Sequence, residues 1–326
     1  MMKKILVTGG AGYIGSHTCK LLSISGYEPV TYDNLSTGNE EFVKWGPLVV
    51  GDLHDTDKLI QTLKTYKPIA VIHFAASAYV GESVTNPFKY YKNNVGGTLC
   101  LLDSMRQVEV SSLVFSSTCA TYGVPDVKFI SETCPQNPIN PYGQSKLMIE
   151  QILRDLSSRG EIKQICLRYF NAAGADKLGE IGEKHNLETH LIPLAVRSAM
   201  GGSLLNVFGT DFPTPDGTAV RDYVHVEDIG RAHILSVEYL LAGGTSDYIN
   251  LGTGRGNSVR EIISSLQALG VNVNAKDAPK REGDPAHLVA DASKAKKVIN
   301  WYPEYVDIKE TLKTAVDWHQ KNDSKI

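Results

Sequence analysis

No apolar run in this chain of 326 residues approaches the roughly 18 that a membrane-spanning helix needs, so no membrane partner is expected. The N-terminal run Met1–Val7 stops at Thr8-Gly9-Gly10, too short for the apolar core of an export signal. Neither charge is in excess. The 33 Lys+Arg against 36 Asp+Glu leave −3, which argues against a nucleic-acid tracker and against a disordered acidic partner. Cysteine is sparse and scattered: Cys19, Cys100, Cys119, Cys134 and Cys166 form no C-x-x-C pair. That pattern excludes a disulfide framework or zinc ribbon and fits reduced thiols in a cytoplasmic compartment. There is no internal repeat or low-complexity tract, and no His/Cys/Asp spacing reads as a metal site, so no metal is expected. His73 and His225 read as satisfied core histidines, and Lys294–Lys297 as a solvated helix face.

What remains is a chain 42% hydrophobic and slightly rich in glycine, with 29. Its first half alternates short apolar runs with helical spacing. Strands are expected at Lys4–Thr8, Pro29–Tyr32, Leu48–Val50, Ile69–Phe74, Ser112–Ser117 and Gln164–Tyr169. Between them fall helical segments at Ile14–Leu22, Asp55–Tyr66, a long one at Pro87–Val108, and Lys146–Leu156. Apolar strands alternating with helices predict an α/β fold, a Rossmann-type doubly wound parallel sheet covered on both faces. From about Asn171 the rhythm shortens, as in Phe212-Pro213-Thr214-Pro215-Asp216-Gly217. Residues 1–170 are therefore expected to form the dinucleotide-binding domain and 171–326 a smaller α+β substrate lobe. Segments near 222–252 (Asp222–Val226, Tyr248–Leu251) are expected to return to the sheet.

The segment Gly9-Gly10-Ala11-Gly12-Tyr13-Ile14-Gly15 joins the first strand to the first helix. Its glycines permit a tight turn, close backbone approach to a pyrophosphate, and tight packing of helix on strand. An acid about twenty residues on, at the end of the second strand, would accept from the adenosine ribose hydroxyls and repel a 2′-phosphate. Asp33 occupies that place and favours NAD over NADP, and Asp52 follows the third strand where an adenine edge would lie.

Tyr142 and Lys146 stand at i and i+4 just after Pro141, on one face of a first helical turn. A free phenol, with pKa about 10, is a poor base at neutral pH. A cation about 5–6 Å away at effective dielectric about 20 contributes roughly 3 kcal/mol, about two pKa units. One lysine is barely sufficient, so the positive nicotinamide of an oxidised cofactor is expected to supply the rest. Thr118, after Ser116-Ser117, is placed to donate to the same oxygen.

Taken together, these residues resemble the extended short-chain dehydrogenase/reductase family, and within it the UDP-galactose (UDP-glucose) 4-epimerases. The carrying stretches are Thr8–Thr18, Asp33–Ser36, His73–Ser83, Asn93–Thr98, Phe115–Gly123, Pro141–Lys146, Arg168–Asn171, Val220–Val226 and Arg281–Asp284, in family order over nearly the whole chain. The resemblance implies NAD-dependent inversion at carbon 4 of a UDP-hexose through a transient 4-keto sugar, with Tyr142, Lys146 and Thr118 catalytic. Besides Gly9, Gly12 and Gly15, it implies cofactor contacts at Tyr13, Ile14, Asp33, Asn34, Leu35, Ser36, Asp52, Leu53, Phe74, Ala75, Ala76, Asn93, Tyr142, Lys146 and Phe170. UDP-sugar contacts are implied at Thr118, Asn171, Asn206, Val207, Phe208, Arg221, Arg281 and Asp284. Two arginines suit a diphosphate as bidentate forks; the competing reading of Arg221 is a surface pair with Asp222. The family usually dimerises through two long helices, here about Pro87–Val108 and Pro141–Leu156, so a homodimer is expected. Leu99, Leu101, Leu102, Met105, Leu147, Ile149, Ile152 and Leu153 would supply core and interface.

The sequence departs from the family at four points. Ala78 stands where some members carry lysine, Thr118 replaces a common serine, and His190 stands where a substrate-binding asparagine often lies. Leu288 replaces a large tyrosine that excludes N-acetylated sugars in some members, so N-acetylhexosamines stay open as alternative substrates, and the motifs do not exclude UDP-pentoses either. A 4,6-dehydratase would need an Asp-Glu after Thr118, and the positions hold Cys119 and Ala120. A non-catalytic NAD-binding regulator would have lost Tyr142 or Lys146. Cys119 reads as packing beside the site that would make activity oxidation-sensitive.

Overall fold

The computed structural model describes residues 2–185, 187–281 and 283–322. Its elements run β1 (Lys3–Thr8), α1 (Tyr13–Ile24), β2 (Tyr27–Asp33), β3 (Leu48–Val50), α2 (Thr56–Tyr66), β4 (Ala70–His73), α3 (Val80–Thr85) and α4 (Pro87–Tyr90). A π-helical turn, Tyr91–Gly96, leads into α5 (Gly97–Gln107), followed by β5 (Ser112–Thr118), α6 (Pro141–Ser158), β6 (Lys163–Tyr169) and β7 (Asn171–Ala173). The remainder is α7 (Leu191–Ala199), β8 (Leu205–Phe208), β9 (Val220–His225), α8 (Val226–Leu241), β10 (Asp247–Leu251), β11 (Gly256–Ser258), α9 (Val259–Ala268), β12 (Ala275–Ala278), β13 (His287–Leu288), α10 (Ser293–Ile299) and α11 (Ile308–Asn322).

Seven strands form one parallel sheet in the order β3-β2-β1-β4-β5-β6-β10. Every residue of β4 and β5 is buried, as strands covered on both faces must be. One apolar layer packs Leu22, Ile229 and Val237 against one face of the sheet; the other packs Leu59, Leu101, Ile149 and Leu153 against the opposite face. A third core, with Ile192, Leu205, Ile262 and Leu312, holds the substrate lobe. The strand order reverses between β1 and β4, and a doubly wound sheet opens its binding crevice at such a point, beyond the strands' carboxyl ends.

Two expectations need correction. Tyr248–Leu251 returns to the main sheet beside β6, but the segment around Asp222 does not. β9 instead pairs with β7, β11 and β13 in a four-stranded sheet of its own, and α8 carries the chain back to pack against α1. The expected continuous helix over Pro87–Val108 is interrupted by the π turn. There Asn94 accepts from the Ser77 amide at 2.8 Å and donates to Ser77 O and Ser145 Oγ, tying the turn to the cleft loop and to α6.

Candidate active site

A cleft of about 750 Å³ opens over the carboxyl ends of β1, β2, β4, β5 and β6 and reaches into the substrate lobe. On the β1 side the glycine turn makes its floor. Gly9 takes φ +72°, and a Cβ there would lie 2.6 Å from Ala75 N, so the turn is closed against the loop after β4. A Cβ on Gly15 would meet Gly9 O at 2.1 Å. Gly12 differs: it caps α1 with no side-chain acceptor, no acid follows in the first turn, and a Cβ would find only Gly9 O, at 3.3 Å. The cleft thus faces an uncapped helix N-terminus with open approach, the environment a pyrophosphate requires.

Asp33 ends β2 buried, its carboxylate accepting from Leu35 N at 2.8 Å and Ala11 N at 3.0 Å. Burial raises its pKa and those two amides oppose the rise. Leu35 takes φ +58° to reach that bond and is not among the residues lining the cleft. Asp52 is held below the usual carboxylate range chiefly by the His54 amide, with Asn34 and the His54 ring adding to it. An uncapped helix end, a pre-set acid and an apolar wall at Phe74–Ala76 fit a dinucleotide.

The opposite wall is α6. Asn140 caps it by accepting from Gly143 N at 2.9 Å and Pro141 takes the first position, so Tyr142 sits in the first turn with Lys146 one turn on. The electrostatics differ from expectation. Burial, then Tyr169, pushes the Tyr142 phenol well above its ordinary value, and a hydrogen bond from Thr118 opposes this. Lys146 is not among the strongest influences on it. Its ammonium donates to Ser116 O at 2.8 Å and lies 4.8 Å over the Phe115 ring, and burial lowers its pKa to about 7. The neighbouring strand holds the lysine, so the charge that would make Tyr142 a base at neutral pH is not supplied by Lys146 alone.

Of the expected sugar-nucleotide contacts, Thr118, Asn171, His190, Arg221, Asp284 and Leu288 line the cleft. Arg221 pairs with Asp284 at 2.5 Å rather than with Asp222, whose carboxylate is taken by the Thr253, Gly254 and Ala290 amides. Asn206, Val207, Phe208 and Arg281 are not brought into the cleft. They lie on and beside β8, where Arg281 stacks 3.9 Å over the Phe208 ring. Glu282, in the same motif, lies outside the described residues. Gly9, Gly12, Tyr13, Ile14, Gly15, Asn34, Ser36, Leu53, Asn93 and Phe170 all line the cleft. Cys119 does too, with burial pushing its thiol up to about 12, which disfavours the thiolate form that oxidation uses.

Several lining residues escaped the sequence reading: Ser77, Tyr79, Tyr169, Tyr223, Glu183 and His185. Tyr169 had a signal, since it precedes Phe170 in a motif already singled out. Glu183, His185, Glu188 and His190 had one in their spacing, overlooked when no metal-ligand pattern was found, and these four side chains converge. His73 is buried between Thr8 Oγ at 2.6 Å and Thr98 Oγ at 2.9 Å, with burial lowering its pKa to about 3.

Comparison with known proteins agrees with this geometry. The family model described as "NAD dependent epimerase/dehydratase family" matches residues 5–252. The chain is 49% identical over 324 residues to UDP-glucose 4-epimerase of Rhizobium leguminosarum bv. trifolii, covering 98% of each. It superposes with TM-score 0.95 and 52% identity on UDP-glucose 4-epimerase from Brucella ovis in complex with NAD, covering 97% of this chain and 98% of that one. It also superposes with TM-score 0.93 and 36% identity on the Bifidobacterium longum UDP-glucose 4-epimerase in complex with NAD+ and UDP, covering 99% and 100%.

Proposed function

Because the chain belongs to the NAD dependent epimerase/dehydratase family, we propose that Tyr142 is the acid/base with which it inverts carbon 4 of a UDP-hexose. The overall activity is NAD-dependent UDP-hexose 4-epimerisation, an isomerase reaction with no net redox change. The observation that carries the residue assignment is the meeting of Tyr142 and Thr118 at the end of β5, across the crevice from the uncapped end of α1.

Gly12, Tyr13 and Ile14 present α1 to the pyrophosphate, Asp33 takes ribose hydroxyls, and Asp52 and Leu53 border the adenine. When bound, NAD supplies a reversible two-electron acceptor for the hydrogen on carbon 4. Tyr142 takes the 4-hydroxyl proton as the 4-keto sugar forms, and returns it to the same oxygen once the hydrogen on carbon 4 has been restored from the opposite face. Thr118 donates to the phenolic oxygen and steadies its anion. Lys146, fixed by Ser116 O, donates from its ammonium to the hydroxyls of the cofactor ribose, and its charge is favoured once burial is shared with a polar ligand. Arg221, oriented by its pair with Asp284, and His190 hold the diphosphate so that the hexose is free to turn over.

We further propose a cytoplasmic homodimer. No helix among the described residues is long and apolar enough to cross a membrane. All five cysteines are free. Leu101, Met105, Ile149 and Leu153 face the subunit's own core, whereas Leu99, 48% exposed, points outward on α5 for a second copy.

Incubation with UDP-galactose, without added NAD, followed by product separation is expected to yield UDP-glucose. Tyr142→Phe is expected to keep its NAD and lose about 10²–10⁴-fold in turnover, the usual size of an acid/base contribution. Full turnover in that variant would remove Tyr142 from the role.

A further inference from the structure

The segment between β7 and α7 carries a polar cluster that proton transfer at Tyr142 does not use. Glu183, His185, Glu188 and His190 each offer a donor atom, and the four atoms lie within 4.8 Å of one another. His185 Nδ1 is 3.3 Å from Glu188 Oε2 and 3.5 Å from Glu183 Oε1, and His190 Nδ1 is hydrogen-bonded to Glu183 Oε1. A tetrahedral ion with bonds of about 2.0–2.1 Å separates its ligand atoms by about 3.3–3.4 Å, close to both His185 distances.

The cluster is also built rather than loosely placed. Glu188 spends Oε1 on the Thr189 and His190 amides, both at 2.8 Å, which leaves Oε2 directed at His185. Glu183 is anchored through its carbonyl, which accepts from Trp318 Nε1 at 3.3 Å. The side chains of Glu183 and Glu188 are 5% and 2% exposed, and among the described residues no lysine or arginine pairs with either. Two buried carboxylates therefore have imidazoles as their only cationic partners among the described residues, with two amides on Glu188, an arrangement a divalent cation completes. Two imidazoles with two carboxylates suit a borderline ion of the zinc class better than magnesium or calcium, which favour all-oxygen sites.

We propose that Glu183, His185, Glu188 and His190 form a binding site for a zinc-class divalent cation in the substrate-lobe wall of the cleft. Loading it ties His190 to the wall. The site shares His190 with the proposed diphosphate contact, whereas His185 and Glu188 take no part in the proton transfer.

The test uses the NAD-containing enzyme, stripped of metals by a chelator and titrated with Co²⁺ and then Zn²⁺. The expected result is one equivalent of Co²⁺ with the intense visible absorption of a tetrahedral N/O site, bleached by Zn²⁺. His185→Gln and Glu188→Gln are each expected to weaken binding at least about tenfold. No stoichiometric binding, a weak octahedral spectrum, or a thiolate charge-transfer band from the cysteines would each overturn the proposal. So would unchanged affinity in both variants. Should either variant fail to fold, the wild-type cobalt spectrum decides the matter alone.

Discussion

Around Tyr142 burial, not charge, sets the resting protonation states: the phenol is pushed up and the Lys146 ammonium down to about 7. The lysine makes a signed prediction. Its folded pKa lies below its unfolded value of about 10.4, so between those values the unfolded chain binds the extra proton and stability rises with pH. Below about 7 the cost of the buried cation is present in full. In cofactor-free protein, Lys146→Met should therefore raise Tm relative to wild type more at pH 6 than at pH 10. A difference in Tm independent of pH would show that the lysine is not held in the state its surroundings impose. The pairing of Tyr142 with Lys146 was legible because i and i+4 share a helix face. The direction of the ammonium was not, because it is fixed by a carbonyl of β5, thirty residues away in sequence. The convergence of Glu183 with His190 was not legible either, because a loop has no period and spacing alone does not bring two side chains together.

At the scale of elements, the turn between β1 and α1 assigns different work to glycines that look alike in sequence. Gly15→Ala drives a methyl into Gly9 O at 2.1 Å and should destabilise the whole chain by roughly 1–3 kcal/mol, seen as a lower urea midpoint. Gly12→Ala meets only Gly9 O at 3.3 Å and should cost about 1 kcal/mol or less as a poorer helix cap. Its methyl instead occupies the approach to the free amides of α1, so NAD affinity should fall at least about tenfold, about 1.4 kcal/mol. If Gly12→Ala keeps full NAD content while unfolding early, the open approach at that residue is not the cofactor's. The βαβ succession was legible here because strand and helix periods alternate cleanly. The π turn was not, since it leaves no compositional mark. The separate sheet around β9 was missed because an apolar run does not declare its partner, and Val220–His225 reads like any strand of the main sheet.

Across the whole molecule, one buried network joins the helix carrying Tyr142 to three strands and to the segment between β5 and α6. Glu150 on α6 accepts from Ser117 on β5 at 2.5 Å, from Gln136 at 2.9 Å, and from Arg168 on β6 at 2.9 and 2.6 Å. Arg168 donates onward to Tyr122, which donates to Asn250 on β10 at 2.7 Å, and Asn250 reaches the Ile130 carbonyl. Glu150 is fully buried and Arg168 is 2% exposed, so neither charge has water to fall back on. The motif containing Arg168 was visible in the sequence, whereas its partner was an ordinary glutamate within a helix and gave no sign of burial. Arg168→Met should cost about 3–5 kcal/mol, because it leaves Glu150 uncompensated rather than because the pair itself is worth that much. The distinction is measurable. Adding Glu150→Gln to Arg168→Met removes the orphaned charge, so the double variant should be more stable than Arg168→Met alone in a urea titration. If the two losses simply add, the network stabilises the protein bond by bond. If the double variant recovers stability, its contribution lies in charge balance, and α6 owes its position over the cleft mainly to the packing of Ile149 and Leu153 beneath it.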